Sequence, residues 1–129
     1  MNVIVAGAGP GARYLMTEQL RETLKAADVV ISSVHFDGII KGHLKLGISD
    51  TIKYIEAHKN ERKNVIVLAS GDTGFYSIAQ TISRQVSKEV NLRFLCGISS
   101  MQYFVARMGM SYADMKLVSL HGRGGSIVP

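Results

Sequence analysis

One predicted strand of this chain ends in a glycine-flanked acid. Residues 65–69 (Val-Ile-Val-Leu-Ala) are apolar and rich in β-branched side chains, as is typical of a parallel strand buried on both faces. The segment 70–74 (Ser-Gly-Asp-Thr-Gly) follows at once, and a helical pattern begins after it. Ligands of α/β proteins bind at loops that leave the carboxyl ends of parallel strands, so we expect a ligand-binding loop here. The alternative is a turn in which Asp72 caps the next helix.

Similar loops follow two other predicted strands. Gly-Ala-Gly-Pro-Gly at 7–11 follows a strand at 3–6, and Gly-Ile-Ser-Ser at 97–100 follows a strand at 92–95. Three such loops at one edge of a parallel sheet would form a cleft. Taken alone, the first loop is also typical of a tight turn that requires positive φ. A serine that precedes a helix is usually its N-cap, which is the alternative for Ser99 and Ser100.

The apolar pattern alternates between strand and helix along the rest of the chain. The predicted strands are 3–6, 29–31, 65–69, 92–95 and 116–120. The predicted helices are 18–26 with Thr17 as N-cap, 49 to about 58, 75–86 and 100–108, whereas 33–47 has no clear pattern. In the last helix, Met101, Phe104, Val105 and Met108 are expected to face the core. Strands that alternate with helices imply an α/β fold, here a mostly parallel five-stranded sheet flanked by helices.

Composition restricts the partners of the chain. Its 129 residues suit one domain, and the formal charge of +5 suits an anionic ligand, but the basic residues are scattered without aromatic interleaving, which argues against nucleic acid. No apolar run approaches the roughly 20 residues that cross a membrane, and no signal-peptide pattern is present, so we expect a cytoplasmic protein without a membrane segment. Cys96 is the single cysteine. Because His35, His43 and His58 share no ligand spacing, we expect no metal site.

The first loop also matches part of the dinucleotide fingerprint G-x-G-x-x-G/A, through Gly7, Gly9 and Ala12. That motif requires an acid at the end of the second strand to bind a ribose hydroxyl, but two serines, 32–33, lie there. Pro10 also removes one backbone donor from the loop. The match is incomplete, and a dinucleotide-binding oxidoreductase domain is kept as an alternative function.

Four motifs together are more specific than any one of them. They are Gly-x-Gly-Pro-Gly at 7–11, Leu-Ala-Ser-Gly-Asp-x-Gly-Phe-Tyr-Ser-Ile-Ala at 68–79, Gly-Ile-Ser-Ser-Met-Gln-Tyr-Phe-x-Ala-Arg-Met-Gly at 97–109, and Val-Ser-Leu-His-Gly-Arg at 118–123. In this combination the chain resembles the tetrapyrrole (corrin/porphyrin) methylases over residues 3–123. The Ser-Leu-His-Gly-Arg ending favours the branch that methylates C5 of a corrin precursor. Thr73 departs from the family, which usually has proline at this position.

The resemblance implies the first α/β domain of a two-domain methyltransferase, with S-adenosyl-L-methionine in the cleft between the domains. Residues 1–115 would form the N-terminal subdomain, and 116–129 would begin a truncated C-terminal subdomain. The implied reaction is C5 methylation of cobalt-precorrin-7 or precorrin-6Y in cobalamin biosynthesis. An in-line methyl transfer requires alignment and desolvation more than a strong base, so no general base is assigned. A non-catalytic half-domain that needs a partner chain is the remaining alternative.

The resemblance also implies roles for individual residues. The residues matched to cofactor-binding positions are Pro10, Gly71, Asp72, Phe75, Ser99 and Ser100. The residues expected to bind carboxylates of the tetrapyrrole (corrin) substrate are His121, Arg123 and Arg13. The expected protein partner is a second copy of the chain, in a homodimer, or a C15-methyltransferase/decarboxylase.

Overall fold

Five short strands form a sheet in which every neighbouring pair is parallel. This computed structural model describes residues 1–32 and 43–117. The strands are β1 (Asn2–Gly7), β2 (Val29–Ser32), β3 (Leu44–Lys45), β4 (Asn64–Ala69) and β5 (Asn91–Leu95), in the spatial order β3-β2-β4-β1-β5. The predicted α/β class and the mostly parallel five-stranded sheet are confirmed.

Four α-helices and one short 3₁₀ turn connect the strands. The helices are α1 (Glu18–Lys25), α2 (Ile48–His58), α3 (Ala79–Gln85) and α4 (Ser100–Arg107), and the 3₁₀ turn is Arg13–Leu15. Thr17 caps α1 as predicted, because its hydroxyl accepts a hydrogen bond from the Leu20 backbone N–H at 3.1 Å.

Alternate residues of each central strand face opposite layers. In β1, Val3 and Val5 face α2 and α3, whereas Ile4 and Ala6 face α1. All four side chains are at least nine-tenths buried, so β1 is covered on both faces, as its continuous apolar sequence predicts.

The register of β4, β1 and β5 sets the ends of these three strands level. Asn2 pairs with Asn64 and with Asn91, so each strand begins with an asparagine, and the three side-chain amides are hydrogen-bonded in a row at 3.1 and 3.0 Å. At the other end Gly7 pairs with Ala69, and Leu95 with Ala6. The loops that follow these strands therefore start side by side.

β1 and β4 are neighbours, but the helices that follow them pack on opposite faces of the sheet. Leu20 of α1 belongs to one core cluster, and Ala79 and Ile82 of α3 belong to the other. The segments that follow β1 and β4 thus leave the carboxyl ends of these adjacent strands towards opposite faces of the sheet. This arrangement is a topological switch point, where open α/β sheets bind their ligands.

The fifth strand is not the predicted one. β3 lies in the segment to which the sequence assigned no pattern, while Lys116 and Leu117 form no strand and residues 118–120 lie outside the described part of the chain. β3 has only two residues, both exposed at the sheet edge, and is held by backbone pairing of Leu44 with Ile31. A strand of that kind needs no apolar alternation, so periodicity could not detect it.

α3 is shorter than the predicted helix 75–86. Tyr76 has φ 49°, in the left-handed region that a right-handed helix excludes. The chain turns there, and the Ser77 hydroxyl accepts a hydrogen bond from the Ala79 N–H at 3.2 Å where the helix begins. The apolar spacing behind the prediction continues through this turn, so it could not show where the helix begins.

The predicted inner face of α4 is also partly wrong. Val105 is buried and Met101 is half-buried, but Phe104 is 63% exposed and Met108 is 59% exposed. The apolar side of this helix is therefore wider than the surface that covers it in the described residues.

Candidate functional site

Two loops are paired at the switch point. We define the first loop as residues 8–12, after β1, and the second loop as residues 70–76, after β4. The Gly9 N–H donates to the Gly71 carbonyl at 3.1 Å, and the Gly71 N–H donates back to the Gly9 carbonyl at 2.9 Å. Both glycines have positive φ, 81° and 72°, which a residue with a side chain adopts only with strain. The glycine-rich sequences therefore serve this pairing directly.

A third loop, residues 96–99 after β5, packs its backbone closely against the end of β1 and against the second loop. A Cβ placed on Gly7 would lie 2.5 Å from the Gly71 carbonyl oxygen and 2.8 Å from the Gly97 nitrogen. A Cβ on Gly97 would meet the backbones of Gly7 and Gly71 equally closely. The three strand ends are thus so close that glycine is required at these positions.

Asp72 fastens the second loop to the third. One carboxylate oxygen, Oδ1, accepts from the Gly97 N–H at 3.0 Å, and Oδ2 accepts from the Gly74 N–H at 3.3 Å. The side chain is half-buried. An ionised carboxylate has about four acceptor positions, so Asp72 retains capacity for a ligand donor beyond these two bonds. The bond to Gly74 is the local turn contact that the alternative interpretation expected, but Asp72 does not cap a helix, because α3 begins only at Ala79.

Ser99 is the N-cap of α4, and both its hydroxyl and its backbone N–H are hydrogen-bonded there. Its hydroxyl accepts from the Gln102 N–H at 3.0 Å, and the Gln102 side chain accepts from the Ser99 N–H at 2.9 Å. These reciprocal bonds form a capping box, so the N-cap interpretation of Ser99 is confirmed. Ser100 is the exposed first residue of the helix.

The sequence profile of the family described as Tetrapyrrole (Corrin/Porphyrin) Methylases matches residues 2–127. The chain belongs to this family. It is 34% identical over 125 residues to the "Cobalt-precorrin-7 C(5)-methyltransferase" of Salmonella typhimurium, an alignment that covers 92% of this chain and 61% of the relative. It is 39% identical over 59 residues to the "Precorrin-6Y C(5,15)-methyltransferase [decarboxylating]" of a Sinorhizobium species, which covers 46% of this chain and 14% of that protein.

The fold of this tetrapyrrole methylase chain also matches a solved structure. The methyltransferase CobJ superposes with a TM-score of 0.74 at 24% identity, over 84% of this chain and 51% of that protein. The chain therefore spans about half to three-fifths of the length of CobJ and of the Salmonella relative. A likeness at this identity establishes the fold of the described part.

The structure brings most of the predicted cofactor residues of this methylase to one sheet edge. A Cβ on Gly71 would lie 3.5 Å from the Ser99 Cα, so the second and third loops are in contact. Pro10 is half-buried in the first loop beside Gly9. Phe75 is half-buried at the end of the second loop, and its ring meets the Tyr76 ring edge-on with centroids 4.9 Å apart.

The predicted substrate residues are less completely described. Arg13 is exposed and begins the 3₁₀ turn that follows the first loop. His121 and Arg123 lie outside the described residues.

Two features of the methylase site were missed at the sequence level. The sequence places Gly7 and Gly97 in loops after predicted strands, but it does not show that their backbones pack together, because that contact depends on the order of the strands in the sheet. Tyr14 and Tyr103 were not considered, yet their hydroxyls lie 3.3 Å apart beside the first and third loops.

Within residues 1–32 and 43–117, no three His, Cys, Asp or Glu side chains are grouped closely enough to hold a metal ion. No helix in this described part has the length and apolar character that a membrane crossing requires.

Proposed function

We propose that the chain contains the S-adenosyl-L-methionine-binding part of a methyltransferase that acts on C5 of a corrin precursor in cobalamin biosynthesis. The observation that carries this proposal is the cluster of three glycine-rich loops at the switch point, in a chain of the tetrapyrrole methylase family. The name of the Salmonella relative supports the C5 position and cobalt-precorrin-7 as substrate, and the name of the Sinorhizobium relative supports precorrin-6Y.

The charge of the loop cluster suits this cofactor. The three loops contain one acid, Asp72, and no lysine, arginine or histidine. S-adenosyl-L-methionine carries an ammonium group, a sulfonium group and ribose hydroxyls, all of which are favoured beside a carboxylate. A dinucleotide carries two phosphates, whose negative charge is disfavoured beside a carboxylate that no basic group of the loops offsets. The cluster therefore favours the methylase over the oxidoreductase alternative.

Each residue contributes through a property visible in the structure. The spare acceptor positions of Asp72 would bind a ribose hydroxyl or the ammonium group. The Pro10 ring and the Phe75 ring would offer apolar surface, Gly71 would allow close approach of the ligand to the backbone, and Ser100 would offer an exposed hydroxyl beside it. The buried Ser99 would orient α4 at the solvent-facing edge of the three loops, which we call the rim. When bound, the cofactor supplies a methyl group on a positively charged sulfur.

The substrate would approach this rim from solvent. Corrin precursors carry several carboxylates, which guanidinium groups bind through paired hydrogen bonds. We propose Arg13, which is exposed next to the first loop, for such a contact, together with His121 and Arg123. Alignment of the acceptor carbon and exclusion of water would then promote transfer, without a dedicated strong base.

The other part of the enzyme would come from a second subdomain. We propose that residues 1–115 are the first subdomain and that the second begins at 116. The chain would act as a homodimer or together with a C15-methyltransferase/decarboxylase. The second arrangement is supported by the name of the Sinorhizobium relative, which combines methylation at C5 and at C15 in one protein. If the second subdomain is supplied by another chain, this one is the non-catalytic half that requires that partner.

Isothermal titration with S-adenosylhomocysteine tests the cofactor proposal. We expect saturable binding by the 129-residue chain, and at least tenfold weaker binding by Asp72→Asn, which keeps the shape and removes the charge; tenfold corresponds to about 1.4 kcal/mol. The matched control is Asp50→Asn, at an exposed acid on α2, which should bind like the unmodified chain. Absence of heat at millimolar S-adenosylhomocysteine, or preferential binding of NAD, would contradict the proposal.

A further inference from the structure

Two tyrosine hydroxyls meet at the rim of the loop cluster. Tyr14 lies in the 3₁₀ turn directly after the first loop, and Tyr103 lies on α4 one turn after the third loop. Their hydroxyl oxygens are 3.3 Å apart, although 88 residues lie between the two tyrosines in the sequence. Tyr14 is 72% exposed, so the pair is open to solvent on its side.

A guanidinium group lies close to the same pair. Arg107 is four residues after Tyr103 on α4, and residues at this spacing share one face of a helix. The hydrogen bond with Tyr103 raises the pKa of Tyr14, while the positive charge of Arg107 acts on that pKa in the opposite direction. The Tyr14 hydroxyl therefore stays protonated near neutral pH, and the field of Arg107 reaches it.

The basic groups at this rim are not neutralised by acids. Within the described residues, neither Arg107 nor Arg13 forms an ion pair. Tyr14 and Arg13 also line a groove along α1 that contains acids: Glu22 pairs with Lys25 at 2.9 Å, and Glu18 lies in the same groove. Arg21 lies there too, so the four basic groups Arg13, Arg21, Lys25 and Arg107 outnumber the two acids and leave the side of the two tyrosines positive.

We propose that Tyr14, Tyr103 and Arg107 bind a peripheral carboxylate of the tetrapyrrole substrate. This inference rests on the proposed function and adds residues on the substrate side of the same rim. One hydroxyl donates to the other, so the second proton is free to donate to a carboxylate oxygen, and the guanidinium offers further donors. The three groups would help to orient the macrocycle over the loop cluster.

The test uses cobyrinic acid, a corrin with seven carboxylates, in an absorbance titration of the 129-residue chain. We expect the double variant Tyr14→Phe/Tyr103→Phe to bind it at least tenfold more weakly, since both rings remain and only the hydroxyls are lost. Arg107→Gln should weaken binding to a similar extent, and the heptamethyl ester of cobyrinic acid should bind poorly to the unmodified chain. The control variants are Tyr112→Phe, after the end of α4, and Arg84→Gln, on α3, both at exposed positions outside the proposed triad.

S-adenosylhomocysteine binding, measured on the same samples, separates the possible outcomes. The inference is supported if the double variant loses corrin affinity while its affinity for S-adenosylhomocysteine changes less than twofold. It is overturned if the double variant binds the corrin normally, if it loses both ligands together, or if the unmodified chain binds S-adenosylhomocysteine but not the corrin. Failure of the unmodified chain to bind S-adenosylhomocysteine would count against the proposed function instead.

Discussion

Gly97 shows how a single hydrogen atom in place of a side chain shapes this sheet edge. Its N–H donates to Asp72 at 3.0 Å, and its Cα faces the backbones of the two neighbouring strand ends. Backbone atoms cannot move aside as a flexible side chain can, because they are held by the pairing of β1 with β4 and β5. The loop cluster depends on this contact more than on any turn preference of the glycine.

Gly97→Ala should therefore destabilise the chain. The added methyl group would overlap backbone atoms of Gly7 and Gly71, and overpacking of this kind costs about 1–3 kcal/mol. The measurement is the free energy of unfolding in urea, together with S-adenosylhomocysteine affinity, which should also fall because the loops separate.

Gly47→Ala is the matched control for this substitution. Gly47 has φ −70°, and a Cβ there would meet no atom within 4 Å in the described structure. It should change the free energy of unfolding by less than about 1 kcal/mol. Equal effects of the two substitutions would contradict the close packing of the loops.

At the scale of elements, the two capped helices hold the loops from both sides. α1 begins at the Thr17 cap soon after the first loop, and α4 begins at the Ser99 capping box at the end of the third loop. Each cap satisfies backbone N–H groups that the first helical turn leaves unpaired. The start of each helix is therefore fixed next to the site by a local side chain.

Thr17→Ala should lower the free energy of unfolding by about 1 kcal/mol, because the Leu20 N–H loses its acceptor. Thr23→Ala on the same helix is the control: the Thr23 hydroxyl donates to the Gln19 carbonyl, a bond that adds little to helix stability. Urea unfolding of both variants gives the comparison. A larger loss for Thr23→Ala than for Thr17→Ala would be inconsistent with this capping role.

Elements with a regular pattern were predictable from the sequence, and elements held by context were not. Runs of β-branched residues located β1, β2 and β4, the apolar residues Leu92, Phe94 and Leu95 located β5, and Thr17 located the start of α1. The two exposed residues of β3 carry no pattern, and the left-handed Tyr76 interrupts a spacing that otherwise reads as helix. In the same way, the glycine-rich loops indicated a site, but the Asp72–Gly97 bond depends on strand order, which local sequence does not encode.

At the scale of the whole molecule, the described chain has an uneven distribution of apolar surface. The sheet is buried on both faces in its centre, yet α4 and the segment after it expose several large apolar side chains. Those at least 39% exposed in this region are Phe104, Met108, Met110, Tyr112, Met115 and Leu117. Sequence periodicity assigned Phe104 and Met108 to the core because it registers an apolar face without showing what covers it.

We propose above all that the three loops bind S-adenosyl-L-methionine. The most direct test follows ligand binding at each residue separately. Two-dimensional ¹⁵N–¹H NMR of the 14.0 kDa chain can follow each backbone amide while S-adenosylhomocysteine is added. We expect saturable chemical-shift changes concentrated at residues 8–12, 70–76 and 96–100, with the changes at the amides of Gly9, Gly71 and Gly97 among the largest. Shifts confined to the amino ends of the strands, around Asn2 and Asn91, or no shifts at millimolar ligand, would contradict this proposal.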